Sequence, residues 1–241
     1  MRALWSFVAL PFVILPIAFA WSIAEGESKV AEGPLVLELF TSQGCSSCPS
    51  ADRLLAKLAT TGIEGRALAP LAFHVDYWDD LGWPDPSASP AWTARQQDYA
   101  RALREGRVYT PQLVVGGSTG LVGSNLVAVT GAIAKASRPQ LLPATATWSK
   151  DSLEITATAP ADADVIVVVW EDAAPTKVVR GENAGETLGN QRAVRRLERV
   201  AKAGTRGTIK VKIDPTWRSV GAVAFAQRTD RKIVASAFLP R

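Results

Sequence analysis

The chain contains two cysteines in 241 residues, and these are Cys45 and Cys48. Two cysteines scattered at random in this length fall three apart only about 1% of the time, so the spacing itself carries information. Just before the pair, Leu35 to Phe40 is an apolar run broken only by Glu38, the pattern of a strand buried on both faces. Just after it, Leu54, Leu55, Leu58 and Ala59 recur at helical spacing until Gly62 ends the pattern. The pair therefore occupies a strand–turn–helix junction. A thiol at a helix N-terminus faces unpaired backbone N–H groups and the positive end of the helix dipole, both of which favour thiolate. Cys45, nearer the open turn, is expected to attack. Cys48, one turn in and followed by Pro49 where the helix does not need an N–H, is expected to resolve.

Two other uses of the pair stay open at this point. One is a permanent disulfide, although a bridge across so short a loop constrains the unfolded chain little. The other is a pair of soft thiolates holding Cu(I). A tetrahedral zinc site would need His74, the one histidine, together with a carboxylate, and no metal ligand set is read here. His74 lies in an apolar strand and reads as a satisfied core residue. The absence of a second histidine and of a suitable serine argues against a hydrolytic triad of the usual kind.

The rest of the chain divides by its periodicity. Leu71 to Trp78 reads as a second strand, Pro90 to Gly106 as a helix, and Gln112 to Val115 as a third strand. After the turn Gly116-Gly117 come a return strand from Gly120 to Val122 and an amphipathic helix from Asn125 to Ala136. The order βαβαββα predicts an α/β domain over 34–138, its sheet covered by helices. Residues 139–143 read as a linker. Beyond it, Ala144 to Trp148, Leu153 to Ala157, Val165 to Trp170, Thr208 to Ile213, Val220 to Ala226 and Ile233 to Phe238 are short β-branched or alternating segments. They predict an all-β, sandwich-like domain over 144–241. A polar, glycine-punctuated loop from Gly181 to Leu188 interrupts it.

Arg2 precedes an almost uncharged apolar stretch from Ala3 to Ala20 that closes on Ala18-Phe19-Ala20, a small-x-small cleavage pattern. Residues 1–20 are read as a signal peptide and 21–33 as a tether. The alternative is an uncleaved anchor, since Ala3 to Ala24 approaches the length of a membrane span, though Pro11 and Pro16 suit a spanning helix badly. Either way the folded part is expected in a secreted or periplasmic, oxidising setting, with membrane contact only through this segment. The net charge of +4 is mild. Its densest basic cluster, Arg192, Arg195, Arg196 and Arg199, is no nucleic-acid arm, so nucleic acid is not expected as a partner.

Strand, Cys-x-x-Cys, helix and a later Thr110-Pro111 opening a strand resemble the thioredoxin superfamily, in which a cis-proline loop packs beside the cysteines. The chain is more closely similar to a family of exported thioredoxin-like proteins known as domain of unknown function twelve twenty-three. The motifs carrying this are Glu38 to Pro49, His74 to Asp79 with Leu81-Gly82-Trp83, Tyr109 to Gln112, and Gly181 to Gly185. The resemblance covers essentially the whole chain after the signal segment. It implies a thiol–disulfide oxidoreductase without a cofactor but does not disclose the substrate; the cysteine pair itself points to an exported protein or a small thiol. It also implies Cys45, Cys48 and Pro111 as catalytic residues and Thr110 as a substrate contact. Ser46-Ser47 replaces the Gly-Pro that thioredoxin has between its cysteines, so the direction of electron flow stays open. Glu38 stands near the position of the buried thioredoxin carboxylate, where it is expected either to exchange protons with Cys48 or to pair with a cation.

The segment from Asp76 to Asp85 is expected on the Cys45 side of the sheet. Trp78 and Trp83 then either wall a substrate site or cover a loop. Asp79, Asp80 and Asp85 read as a solvated acidic face. Glu182 and Asn183 either dock the β-rich region on the cysteine face or simply serve a turn. A non-catalytic binding module with a structural disulfide is the remaining alternative.

Overall fold

The computed structural model describes residues 31–63 and 65–241, so the expected signal peptide and most of the tether lie outside it. Among the described residues no helix is long and apolar enough to cross a membrane. The architecture is mixed α/β, with one large curled sheet and a second, smaller one.

Strand β1 (Leu35–Thr41) is buried along its whole length because it has neighbours on every side. It pairs in parallel with β2 (Leu68–His74) and antiparallel with β3 (Gln112–Val115). Leu35, Leu37 and Leu39 point to one face, where they pack with Leu55 and Leu58 of α1 (Pro49–Thr61) and Val129 and Ile133 of α3 (Leu126–Lys135). Val36 and Phe40 point to the other, with Phe73 of β2 and Trp92 and Tyr99 of α2 (Pro90–Ala102). Each fully buried Leu or Phe contributes ~2 kcal/mol, so alternation along one strand fixes a helix layer on both faces. The helix starts are written locally. Ser89 accepts from the Ala91 N–H ahead of α2, and Asn125 accepts from the Ala128 N–H ahead of α3.

The large sheet runs β4-β3-β1-β2-β9-β8-β11-β12-β5, where β4 is Thr119–Val122, β5 Gln140–Leu141, β8 Ala163–Lys177, β9 Thr187–Ala201, β11 Gly221–Arg228 and β12 Ile233–Phe238. The second sheet, β10-β7-β6, comprises β6 (Ala144–Trp148), β7 (Ser152–Thr158) and β10 (Arg206–Lys212). It packs on one face of the large sheet, with Leu153, Ile155 and Val211 against Val165, Val167, Val169 and Ala224. On the opposite face Val168, Trp170 and Phe225 join the α2 core.

The structure therefore departs from a sandwich hung on a linker. Residues 140–141 form β5 and pair with β12, and the two regions share one sheet through β9, which meets β2 at Ala72 and Ala193. Strand β9 and the length of β8 escape the sequence reading because β9, Thr-Leu-Gly-Asn-Gln-Arg-Ala-Val-Arg-Arg-Leu-Glu-Arg-Val-Ala, lacks apolar alternation, and its pairing with β8 carries four register shifts. Strand β2 also begins three residues earlier than expected and ends at His74; Trp78 lies beyond it, ahead of a short 3-10 turn, Asp79–Leu81.

Candidate functional site

The loop leaving β1 folds on itself before it reaches the helix. Ser42 Oγ accepts from the Gly44 N–H at 3.0 Å, and the Ser42 carbonyl accepts from the Cys45 N–H at 3.2 Å. Cys45 and Cys48 are joined by a disulfide with Cα atoms 5.4 Å apart. Cys48 is the residue that caps α1, and its carbonyl takes the Ala51 and Asp52 N–H groups. At Gly44 a Cβ would stand 3.1 Å from the Cβ of Trp78, so a larger residue there would press on the 76–85 loop.

Ser47 Oγ lies 3.3 Å from Cys45 Sγ and donates to the Thr110 carbonyl at 3.4 Å. The Thr110–Pro111 bond is cis, and Trp78 Nε1 donates to Thr110 Oγ1 at 2.9 Å. Trp83 reaches the same loop from the other side, donating from Nε1 to Gln43 Oε1 at 3.0 Å. Cys45, Cys48, Thr110, Pro111 and Trp78 are thus brought together, with Trp83 one side chain further out.

Neither sulfur-bearing residue is open to solvent: Cys45 and Cys48 are both 0% exposed. Cys45 is therefore not the more accessible of the two, contrary to expectation. The β8–β9 turn docks on the cysteine loop from outside. Asn183 Nδ2 donates to the Gln43 carbonyl at 2.8 Å and to the Cys45 carbonyl at 3.0 Å. The Glu182 carboxylate accepts from the Ser46 N–H at 3.0 Å. From β9, Asn190 Oδ1 accepts from Gln43 Nε2 at 2.7 Å.

Beneath the loop, on the α1 face of the sheet, lies a cluster of titratable groups. Thr41 and His74 stand side by side in the β1–β2 register. Thr41 Oγ1 donates to Asp52, one turn after Cys48 on α1, and His74 Nδ1 lies 2.7 Å from Asp85 Oδ2. Asp85 also accepts the Gln43 and Ser87 N–H groups, each at 2.8 Å, and is 5% exposed. It belongs to the buried site and not to a solvated acidic face. Burial disfavours its ionised form, but His74 and these hydrogen bonds prevail and hold its pKa below the usual carboxylate range. Burial likewise opposes charge on His74, yet the Asp85 carboxylate more than offsets it and raises the imidazole pKa. Asp52 has no such partner. Loss of surrounding water pushes it up to about 6, against the opposing pull of His74 and Thr41. Its side chain borders a cleft of about 300 Å³ between α1 and β9, lined also by Pro49, Arg53, Thr187 and Gln191.

Glu38 is not part of this group. It sits on the α2 face of β1, where Arg95 Nε and Nη2 clamp its two oxygens at 2.5 and 3.0 Å and the Tyr99 hydroxyl donates to it. Gln227 of β11 bonds both Arg95 and Tyr99. Of its two expected roles, the geometry gives Glu38 the cation-paired one. The carboxylate nearest Cys48 in the chain is Asp52, whose i, i+4 spacing from Cys48 is the signal that finds it. Gln43 and Asn190 give no such signal, since their contacts depend on β9. Among the described residues no three His, Cys, Asp or Glu gather as a metal site.

Two solved structures resemble this chain. A protein from Agrobacterium tumefaciens is 28% identical, with a TM-score of 0.67 over 86% of this chain and 95% of its own. HBP35 of Porphyromonas gingivalis shares the fold at 15% identity, with a TM-score of 0.60 over 86% of this chain and 75% of its own. No curated protein matches. The family described as "Protein of unknown function (DUF1223)" matches residues 36–227, a span that holds the cysteine loop, the turn docked on it and the titratable cluster, and the chain belongs to that family.

Proposed function

We propose that this protein is an exported thiol–disulfide oxidoreductase of the thioredoxin superfamily. The observation that carries the reading is a disulfide set at the N-terminus of α1, with Ser47 and Thr110 beside it and Asp52, His74 and Asp85 beneath. In the reducing direction the Cys45 thiolate attacks a partner disulfide and displaces one partner thiolate. The Cys48 thiol gives up its proton, and its sulfur attacks Cys45 Sγ. The intramolecular disulfide forms, the second partner thiolate leaves, and the Cys48 proton ends on one of the two departing sulfurs. Two electrons pass to the partner, and the reverse sequence oxidises a dithiol. The partner is an exported protein or a small thiol in a secreted or periplasmic setting; no nucleic acid and no cofactor enter the scheme.

The test is covalent trapping. Cys48→Ala leaves an attacker without a resolver and accumulates mixed disulfides with exported proteins, recoverable under non-reducing conditions, whereas Cys45→Ala traps far less. Equal trapping by the two variants contradicts the assigned roles.

A second reading, a structural disulfide, is favoured by the complete burial of both cysteines. The reduction potential separates the two: below about −300 mV the bridge is structural, well above it the bridge exchanges.

A further inference from the structure

We propose that the β8–β9 turn, residues 178–186, is a cover that must swing off the cysteine loop before the disulfide can react, with Asn183 and Glu182 as its latch. The inference deepens the exchange reading, since it concerns how the same site is reached.

Three observations carry it. First, the turn is self-contained: Val178 and Glu186, Val178 and Gly185, Gly181 and Ala184, and Asn183 and Glu186 are joined by backbone hydrogen bonds of 2.9 to 3.2 Å. It keeps its shape without the cysteine loop, so it can move as a unit about the ends of the two strands.

Second, its attachment is polar and narrow. Within 178–186 only Val178, at the foot of the turn where it joins β8, and Asn183, at 6% exposure, are buried; the neighbours of Asn183 on both sides stand in solvent. Asn183 is a plug whose amide holds two carbonyls of the cysteine loop, and Glu182 holds the Ser46 N–H from the rim. Beyond these bonds, Gly181 rests on Trp83, where a Cβ would come within 3.2 Å of the tryptophan Cβ. Few apolar contacts and exposed backbone mark segments that open at low cost compared with global unfolding.

Third, the disulfide needs the opening. An attacking thiolate must approach along the S–S axis, and both cysteines are at 0% exposure with the turn in place. Ser46 and Ser47 stay exposed, so it is the sulfurs that are shielded and not the loop as a whole.

The experiment measures the rate at which dithiothreitol and a bulkier phosphine reduce the oxidised full-length protein. Loss of Asn183 removes two bonds to buried carbonyls, so Asn183→Ala is expected to speed reduction roughly tenfold, with the phosphine gaining more than dithiothreitol. Glu182→Ala, on the exposed rim, is expected to give about a twofold gain and faster hydrogen exchange at the Ser46 amide. Should Asn183→Ala fail to fold, Glu182→Ala with the Ser46 exchange carries the test. Unchanged reduction and exchange rates in correctly folded variants overturn the cover. If those rates are unchanged while Cys48→Ala still traps partners, the cover fails and the exchange reading stands. If the variants speed reduction but the bridge proves structural by its potential, the cover stands and the exchange reading fails.

Discussion

Strand β1 carries a buried charge cluster on each side of it, and the two are built to opposite ends. On the α2 face Glu38, Arg95, Tyr99 and Gln227 satisfy one another, with the guanidinium also lying 5.2 to 5.7 Å from the rings of Tyr99, Phe73 and Phe225. Burial works against charge on Arg95, but Glu38 outweighs it and raises the Arg95 pKa, so the guanidinium keeps its charge. On the α1 face Asp85 and His74 are paired, but Asp52 keeps only a hydroxyl and opens onto a cleft. A closed cluster specifies packing. An open one leaves a carboxylate that changes charge near pH 6 beside the disulfide helix.

The largest test of this contrast is Arg95→Met. It leaves Glu38 without its cation among aromatic rings and is expected to cost about 3–5 kcal/mol in urea unfolding, while the reduction potential of the disulfide stays unchanged in the folded fraction. A shift in potential breaks the separation between the two faces.

His74→Gln comes next, at about 2–3 kcal/mol near pH 7, because Asp85 loses its cation but keeps the Gln43 and Ser87 amides. The pKa of His74 is raised in the fold, so the stability it supplies is fully present below its ordinary value of 6.5 and is lost as pH rises through its folded value. The variant and the parent should therefore converge at high pH. Asp85 has the opposite sign: its contribution is present above 3.8 and disappears as pH falls through its lowered value.

Asp52→Asn is the smallest effect and the sharpest. Because its pKa is raised from 3.8 to about 6, the ionised carboxylate works against folding, by nothing below the lower value and in full above the higher one. The amide variant should be more stable by about 1–2 kcal/mol at pH 8, less than the full shift because the half-buried side chain borders a cleft, and no different at pH 3. Under the exchange reading, the parent's disulfide-exchange rate should vary with pH around 6 and the variant's should not. A variant that is less stable at pH 8 places Asp52 with the closed cluster.

Much of the first half of the chain was legible because helix and strand signals there agree with the final packing: β1, α1, β3 and α3 fall within a residue or so of their expected bounds. The cysteine turn was legible for the same reason, and its Thr110-Pro111 neighbour through the resemblance to the thioredoxin superfamily. What escaped is whatever depends on β9. Its arginines stand out in the sequence only as the densest basic cluster, yet Ala193 and Val194 among them are buried and it is the strand through which the two regions join. Asp85 looked like one of several surface acids; only the fold sets it beside His74 at a separation of eleven residues.

Sharing one sheet has a consequence for any attempt to take the molecule apart. A fragment ending near residue 138 would hold both cysteines, yet β2 would become an outermost strand with its whole length of buried residues, Leu68 to His74, offered to water. An apolar edge of that kind recruits other chains. Such a fragment is expected to aggregate instead of serving as a minimal enzyme, and Asn183, Glu182 and Asn190 would have to be supplied by the missing half.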